Sequence, residues 1–156
     1  MNSSRCIEYK NGSAFALEEI IDVYRDSTLS ARRPIGDLKR MEEMFRHANL
    51  LVTAWDGPKI VGVARSFSDF SYITYMADLV VRESYQKKGI GKELIRRTQE
   101  AAGPNATLKL TAAPEAEDYY PRIGFVHVSQ CWILPSEEKL PIYKSSGATK
   151  RTEWKL

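Results

Sequence analysis

The stretch from Ser71 to Ala102, "SYITYMADLVVRESYQKKGIGKELIRRTQEAA", constrains the fold more than any other part of the chain. Its first part, "SYITYMADLVV", is rich in β-branched, aromatic and aliphatic residues and reads as a long strand buried on both faces. Leu94, Ile95, Thr98, Ala101 and Ala102 then fall on one face of a helix, which Gly103 and Pro104 stop. A strand that passes through a tight turn into a helix is the first half of a crossover. The β-prone "ATLKLTA" that follows is the neighbouring parallel strand it leads to.

The rest of the chain is read by the same change of period. After a short strand at "CIEYK", Leu17, Ile20, Ile21 and Tyr24 recur at helical spacing; "RRPIGD" interrupts them. Leu38, Met41, Phe45 and Ala48 form a second helical stripe with Asp37 as its N-cap, ending near Asn49. "LLVTAW" and "KIVGVARSF" read as two antiparallel strands joined at "DGP". Beyond the crossover, "PEAEDYYPRIG" reads as a short helix opened by Pro114, and "FVHVSQCWIL" as a further strand. The tail from about residue 135 is either a last strand around "LPIYK" or loose. The order β-α-α-β-β-β-α-β-α-β predicts an α/β (mixed α+β) fold: a single domain over residues 1–156.

A chain of 156 residues with 43% hydrophobic and 28% charged residues can bury one core without crosslinks. The net charge of +3 is spread among acids, so composition gives no reason to invoke nucleic acid. Cys6 and Cys131 lack metal or redox spacing, and His47 and His127 have no partner at a ligand-like interval, so no metal is expected. Nothing approaches the roughly 18 apolar residues that would cross a bilayer, which leads us to expect a cytoplasmic protein with no membrane partner.

The turn "QKKGIGK" carries the chemistry. At the start of a helix the first amides lack intrahelical partners and the helix dipole adds partial positive charge, so glycine turns at that point can hold anions. Gly89 and Gly91 permit close approach and unusual backbone angles, and Lys87, Lys88 and Lys92 add charge. The spacing excludes a P-loop, because Lys92 is followed by Glu93, and a dinucleotide fingerprint, because Leu94 stands where a third glycine is needed. On residues alone, an anion cradle and a solvated surface turn remain open.

In context, "DLVV" and "YQKKGIGKELI" followed by "YYPRIGF" resemble the GCN5-related N-acetyltransferase (GNAT) family, in a small stand-alone bacterial form. The resemblance covers roughly Leu50 to Leu134. It implies a central mixed, mostly antiparallel sheet of six to seven strands with about four helices on both faces. It also implies acetyl-CoA as acetyl donor, with Leu79, Val80 and Val81 along the pantetheine arm. Gln86, Lys87, Lys88, Gly89, Ile90, Gly91 and Lys92 would surround the pyrophosphate. The asparagine usual in the family is replaced by Ala113, which makes Thr111 or main chain the substitute contact.

The activity implied is transfer of the acetyl group to a primary amine by direct attack in a ternary complex. The acceptor class is a small amine, with a protein lysine or N-terminus as alternative. A non-catalytic coenzyme A-binding regulatory module is the alternative of another class, and a homodimer is compatible with the resemblance. Tyr120 matches the family's catalytic tyrosine and would protonate the departing thiolate; otherwise it packs with its hydroxyl satisfied. Asp78, the acid within the long apolar strand, is either the general base or an ion-pair partner of Arg65. The resemblance places an oxyanion donor at the Val80 amide, freed by a bulge. Trp55, Arg65, Asp69, Tyr72 and Tyr75 are candidates for the acceptor pocket.

Overall fold

Stretches of extended, β-branched sequence build a five-stranded sheet in the computed structural model, which describes residues 6–138. The strands are β1 (Glu8–Asn11), β2 (Leu50–Asp56), β3 (Lys59–Ser68), β4 (Ile73–Val81) and β5 (Thr107–Leu110), side by side in that order. The first four are antiparallel neighbours; β5 joins β4 in parallel. The helices are α1 (Leu17–Arg25), α2 (Leu38–Arg46) and α3 (Ile90–Ala102), with a 3-10 helix at Thr28–Arg32 where "RRPIGD" begins. The Asp37 carboxylate caps α2 by accepting from the Arg40 amide at 3.0 Å, the cap expected from the sequence.

The chain divides into two compact units, Met1–Thr111 and Ala112–Leu156. In the first, Ile20, Tyr24, Met41 and Phe45 of α1 and α2 pack with Leu51, Val63 and Val80 on one face of the sheet. On the other face Leu50 meets Ala102 at the end of α3, while Leu94 and Ile90 of α3 close on Gly62. A Cβ at Gly62 would stand 3.0 Å from Leu94 Cδ1 and 3.3 Å from both Ile90 Cγ2 and the Val80 carbonyl oxygen. Only glycine lets α3 sit this close to the sheet.

A bulge in β4 decides which side chains face which helices. Arg65 pairs with Asp78, but Ser66 pairs with Met76, so Ala77 is the extra residue. Residues paired across a sheet share a face. Met76 therefore lies with Ser66 and Leu50 on the α3 face, whereas Asp78 lies with Arg65 and Leu51 on the α1–α2 face.

Several expectations are corrected. The sheet has five strands among the described residues rather than six to seven. β4 is not buried on both faces: Thr74, Met76, Asp78 and Val80 are buried, Tyr75 is exposed, and the rest are half-buried. In the second unit "PEAEDYYPRIG" is two short helices, a 3-10 helix at Pro114–Ala116 and α4 (Tyr119–Arg122). Pro121 lacks the N–H that a continuous helix would need to bond back to Glu117. Residues 125–134 form no strand, and Val126 and Trp132 are 85% and 94% exposed. A β-prone sequence becomes a strand only when a neighbour accepts its backbone bonds, and none does among the described residues. The segment "LPIYK" lies outside the described residues.

Candidate functional site

The site is assembled where β5 stops accompanying β4. The parallel ladder pairs Ile73 through Met76 with Thr107 through Leu110 and goes no further. On the opposite edge the Arg82 amide donates to the Val61 carbonyl at 2.9 Å, so bonded pairs fall at Arg82–Val61 and, two residues on, at Val80–Val63. The main-chain groups of Leu79 and Val81 point the other way, to the edge that β5 has left. Val80, expected as oxyanion donor, has its amide in the β3 ladder; the bulge is three residues earlier, at Ala77.

Past β4 the chain turns sharply into α3. Lys87 and Gly89 both take left-handed backbone angles, with φ of 59° and 83°. Such alternation gathers successive amides on one side of a turn. The first internal bond of α3 runs from the Glu93 amide to the Gly89 carbonyl at 3.0 Å, which leaves the amides of Ile90, Gly91 and Lys92 without intrahelical acceptors. No side chain caps this end. The Gln86 side-chain amide donates to the Val81 carbonyl at 3.1 Å and ties the turn to the end of β4. Lys88 Nζ donates to the Ser84 carbonyl at 2.7 Å and lies 5.0 Å from the Tyr85 ring centre, so its charge braces the turn; Lys87 and Lys92 are exposed.

Glu93 is the acid nearest the cradle in sequence. Hydrogen bonds from Arg96 and Arg97, each 2.8 Å, hold its carboxyl down to about 2 against the opposing effect of desolvation. Its negative charge is matched on its own helix. The cradle thus combines three open amides, a helix dipole and two exposed lysines beside an open strand edge, a set that fits a pyrophosphate followed by an amide-bearing arm.

Asp78, expected as the base, is enclosed. Its side chain has no exposed surface, Arg65 Nε and Arg33 Nε each donate to it at 2.5 Å, and Tyr24 Oη donates at 2.8 Å. No acceptor ammonium can reach either oxygen, so this arrangement supports the ion-pair role foreseen with Arg65. Burial and the adjacent Asp78 charge push the Tyr24 hydroxyl well above the ordinary tyrosine range, keeping it a donor. Arg33 and Tyr24 were not singled out from the sequence: one lay in an apparent helix break and the other in an apolar stripe.

The acceptor-pocket candidates do not converge. Trp55 is buried, with its indole N–H on Thr53 Oγ1 at 2.7 Å and Lys10 over its ring. Arg65 belongs to the Asp78 cluster. Asp69 Oδ1 accepts the amides of Ser71, Tyr72 and Ile73 at 2.9, 2.7 and 3.0 Å, so it shapes the β3–β4 turn, and these bonds, that of Tyr72 foremost, lower its carboxyl. Tyr72 is 75% exposed on that turn. Tyr75 Oη and Thr111 Oγ1 share a hydrogen bond of 3.2 Å.

In the second unit the Tyr120 ring makes edge contacts with Tyr119 and Phe125, both at 5.4 Å between centres. The Tyr120 carbonyl accepts the Phe125 amide at 3.1 Å, which folds "YYPRIGF" back on itself. Burial, and to a lesser degree Tyr119, raises the Tyr120 hydroxyl above its ordinary value, so it is protonated at neutral pH. It can give a proton and cannot serve as a base there.

A family model described as an acetyltransferase (GNAT) domain matches residues 21–132. An uncharacterized N-acetyltransferase, ycf52, of Porphyra purpurea is 26% identical over 125 residues, 75% of this chain and 67% of that protein. Among solved structures, the GNAT-family acetyltransferase SP0256 from Streptococcus pneumoniae superposes with a TM-score of 0.60 at 22% identity, covering 83% of this chain and 98% of that one. An aminoglycoside N-acetyltransferase, AAC(6')-Iy, in complex with CoA superposes with a TM-score of 0.68 at 15% identity, covering 88% of this chain and 99% of that one.

Proposed function

The chain belongs to the GNAT acetyltransferase family and is an acetyltransferase; from that premise we propose that it moves an acetyl group from acetyl-CoA to the primary amine of a small molecule. The observation that carries this reading is the junction of the open β4 edge with the α3 start. The amides of Ile90, Gly91 and Lys92, with Lys87 and Lys92, suit a pyrophosphate. The outward main-chain groups of Leu79 and the outward amide of Val81, whose carbonyl takes the Gln86 side chain, suit the amide groups of a pantetheine arm. The likeness to an aminoglycoside acetyltransferase bound to CoA favours a small amine as acceptor.

Acetyl-CoA would supply an activated thioester. The protein holds donor and acceptor together, which by itself converts a bimolecular encounter into a local one. The Tyr120 hydroxyl, which is protonated at neutral pH, is the group we assign to protonate the leaving sulfur, on the match of "YYPRIGF" to the family's motif. With Asp78 enclosed, we assign loss of the acceptor's proton to water rather than to a carboxylate.

Coenzyme A release across a panel of amines, with the native protein and Tyr120→Phe, tests the reading. We expect turnover of at least one amine and a loss of about 100-fold or more in kcat for Tyr120→Phe with acetyl-CoA binding retained. Binding of acetyl-CoA with no release for any amine of the panel would overturn the small-amine reading and leave a protein lysine or N-terminus as the acceptor to test.

A further inference from the structure

The cluster around Asp78 contains more positive charge than it neutralises. Two guanidiniums, Arg33 and Arg65, share one carboxylate, and the third group on that carboxylate is the neutral hydroxyl of Tyr24. Arg65 is 8% exposed and also donates to the Met44 carbonyl at 3.3 Å. Arg33 is 26% exposed, and its bonds to Asp78, the Arg32 carbonyl at 2.8 Å and the Ala77 carbonyl at 3.0 Å use one N–H on each nitrogen. A guanidinium has five, so among the described residues one N–H remains without a partner on each terminal nitrogen. A surplus charge withdrawn in part from water gains from an anion that completes it.

The position of that surplus is specific. Arg33 Nη2 bonds the carbonyl of Ala77, the bulge residue between the last β4 residue paired with β5 and the open edge at Leu79–Val81. We propose that the acceptor is an amine that also carries a carboxylate, and that Arg33 binds this carboxylate through the N–H groups left on its terminal nitrogens. The planar fork of a guanidinium matches two carboxylate oxygens, and Arg33 is the partly exposed member of the cluster. This inference rests on the amine-acetylation reading above and narrows it to amino-acid-like acceptors. Arg33 is then a specificity-determining residue, while Asp78 and Tyr24 hold it in place.

The test compares acceptors that differ by one carboxylate, lysine against cadaverine and tyrosine against tyramine, by kcat/KM and by calorimetric binding to the protein saturated with coenzyme A. The native protein is expected to favour the carboxylate-bearing member by about tenfold or more. In Arg33→Gln that ratio falls to about one, and in Arg33→Lys, which keeps the charge, part of it survives. Thermal unfolding and coenzyme A affinity of both variants establish that they are folded. An equal or reversed preference in the native protein, or an unchanged ratio in Arg33→Gln, overturns the proposal. Failure of every amine to release coenzyme A overturns the small-amine reading instead, and the calorimetric ratio then decides the carboxylate preference without turnover.

Discussion

Arg65 Nε donates to Asp78 Oδ2 at 2.5 Å across β3 and β4, at the last pair before the register slips by one residue at Ala77. The ion pair and the bulge are therefore one feature. Arg33 reinforces it from the segment between α1 and α2 by bonding both Asp78 and the Ala77 carbonyl.

Removing the carboxylate strands two guanidiniums. Asp78→Ala should destabilise the protein by about 3–5 kcal/mol, the range for breaking a buried pair from one side. Urea unfolding measures this. Asp78→Asn should be less severe and should keep the shape of the pH–rate profile; loss of its acid limb would show that Asp78 takes up the acceptor's proton after all.

Gly62→Ala places a methyl 3.0 Å from Leu94 Cδ1 and 3.3 Å from the Val80 carbonyl oxygen, which is main chain and yields least. We expect a cost of about 1–3 kcal/mol, as for other overpacked sites. Because the contact lies under the first turns of α3, coenzyme A affinity should fall together with the unfolding midpoint.

Gly89 separates conformation from space. A Cβ there meets nothing within 4 Å, but φ is 83°. Gly89→Ala should cost about 1–2 kcal/mol from backbone strain. Gly89→Glu adds a negative charge to the cradle and should lower acetyl-CoA affinity by about tenfold or more beyond Gly89→Ala, as measured by calorimetry at low salt. Equal affinity for the two variants would mean that the anion binds elsewhere.

Glu93 makes a pH-dependent contribution of known sign. Its carboxyl falls from 4.5 to about 2 in the folded protein, chiefly through the hydrogen bond from Arg96. The stabilisation is complete above the unfolded value and disappears as pH falls through about 2. The difference in unfolding midpoint between the native protein and Glu93→Gln should therefore be constant at neutral pH, shrink below about pH 4.5 and vanish near pH 2. With the side chain 30% exposed, added salt should reduce the difference at every pH.

The strand, glycine turn and helix from Ile73 to Ala102 were legible because each local signal agreed with its neighbours: β-branched residues, two close glycines, then an apolar stripe. The α2 cap at Asp37 was legible for the same reason. The bulge was not. Thr74, Met76, Asp78 and Val80 alternate in sequence as though on one face, and nothing in that pattern marks the extra residue that sends Asp78 to the opposite side of the sheet from Met76. Residues 125–134 failed in the other direction, having the composition of a strand without a partner among the described residues.

By itself, then, the sequence determined the order of elements through β5, the family, and the place of a glycine turn whose parts are local: backbone angles at Lys87 and Gly89, and amides left open at the first turn of α3. These depend on residues within a few positions of one another. The tertiary structure alone decided what Asp78 does. A carboxylate is a base in an open cleft and a structural charge between two guanidiniums, and the guanidiniums here come from positions 33 and 65, brought to it by helix packing and strand register. Contacts set by packing and register between distant residues leave no period in the sequence that carries them.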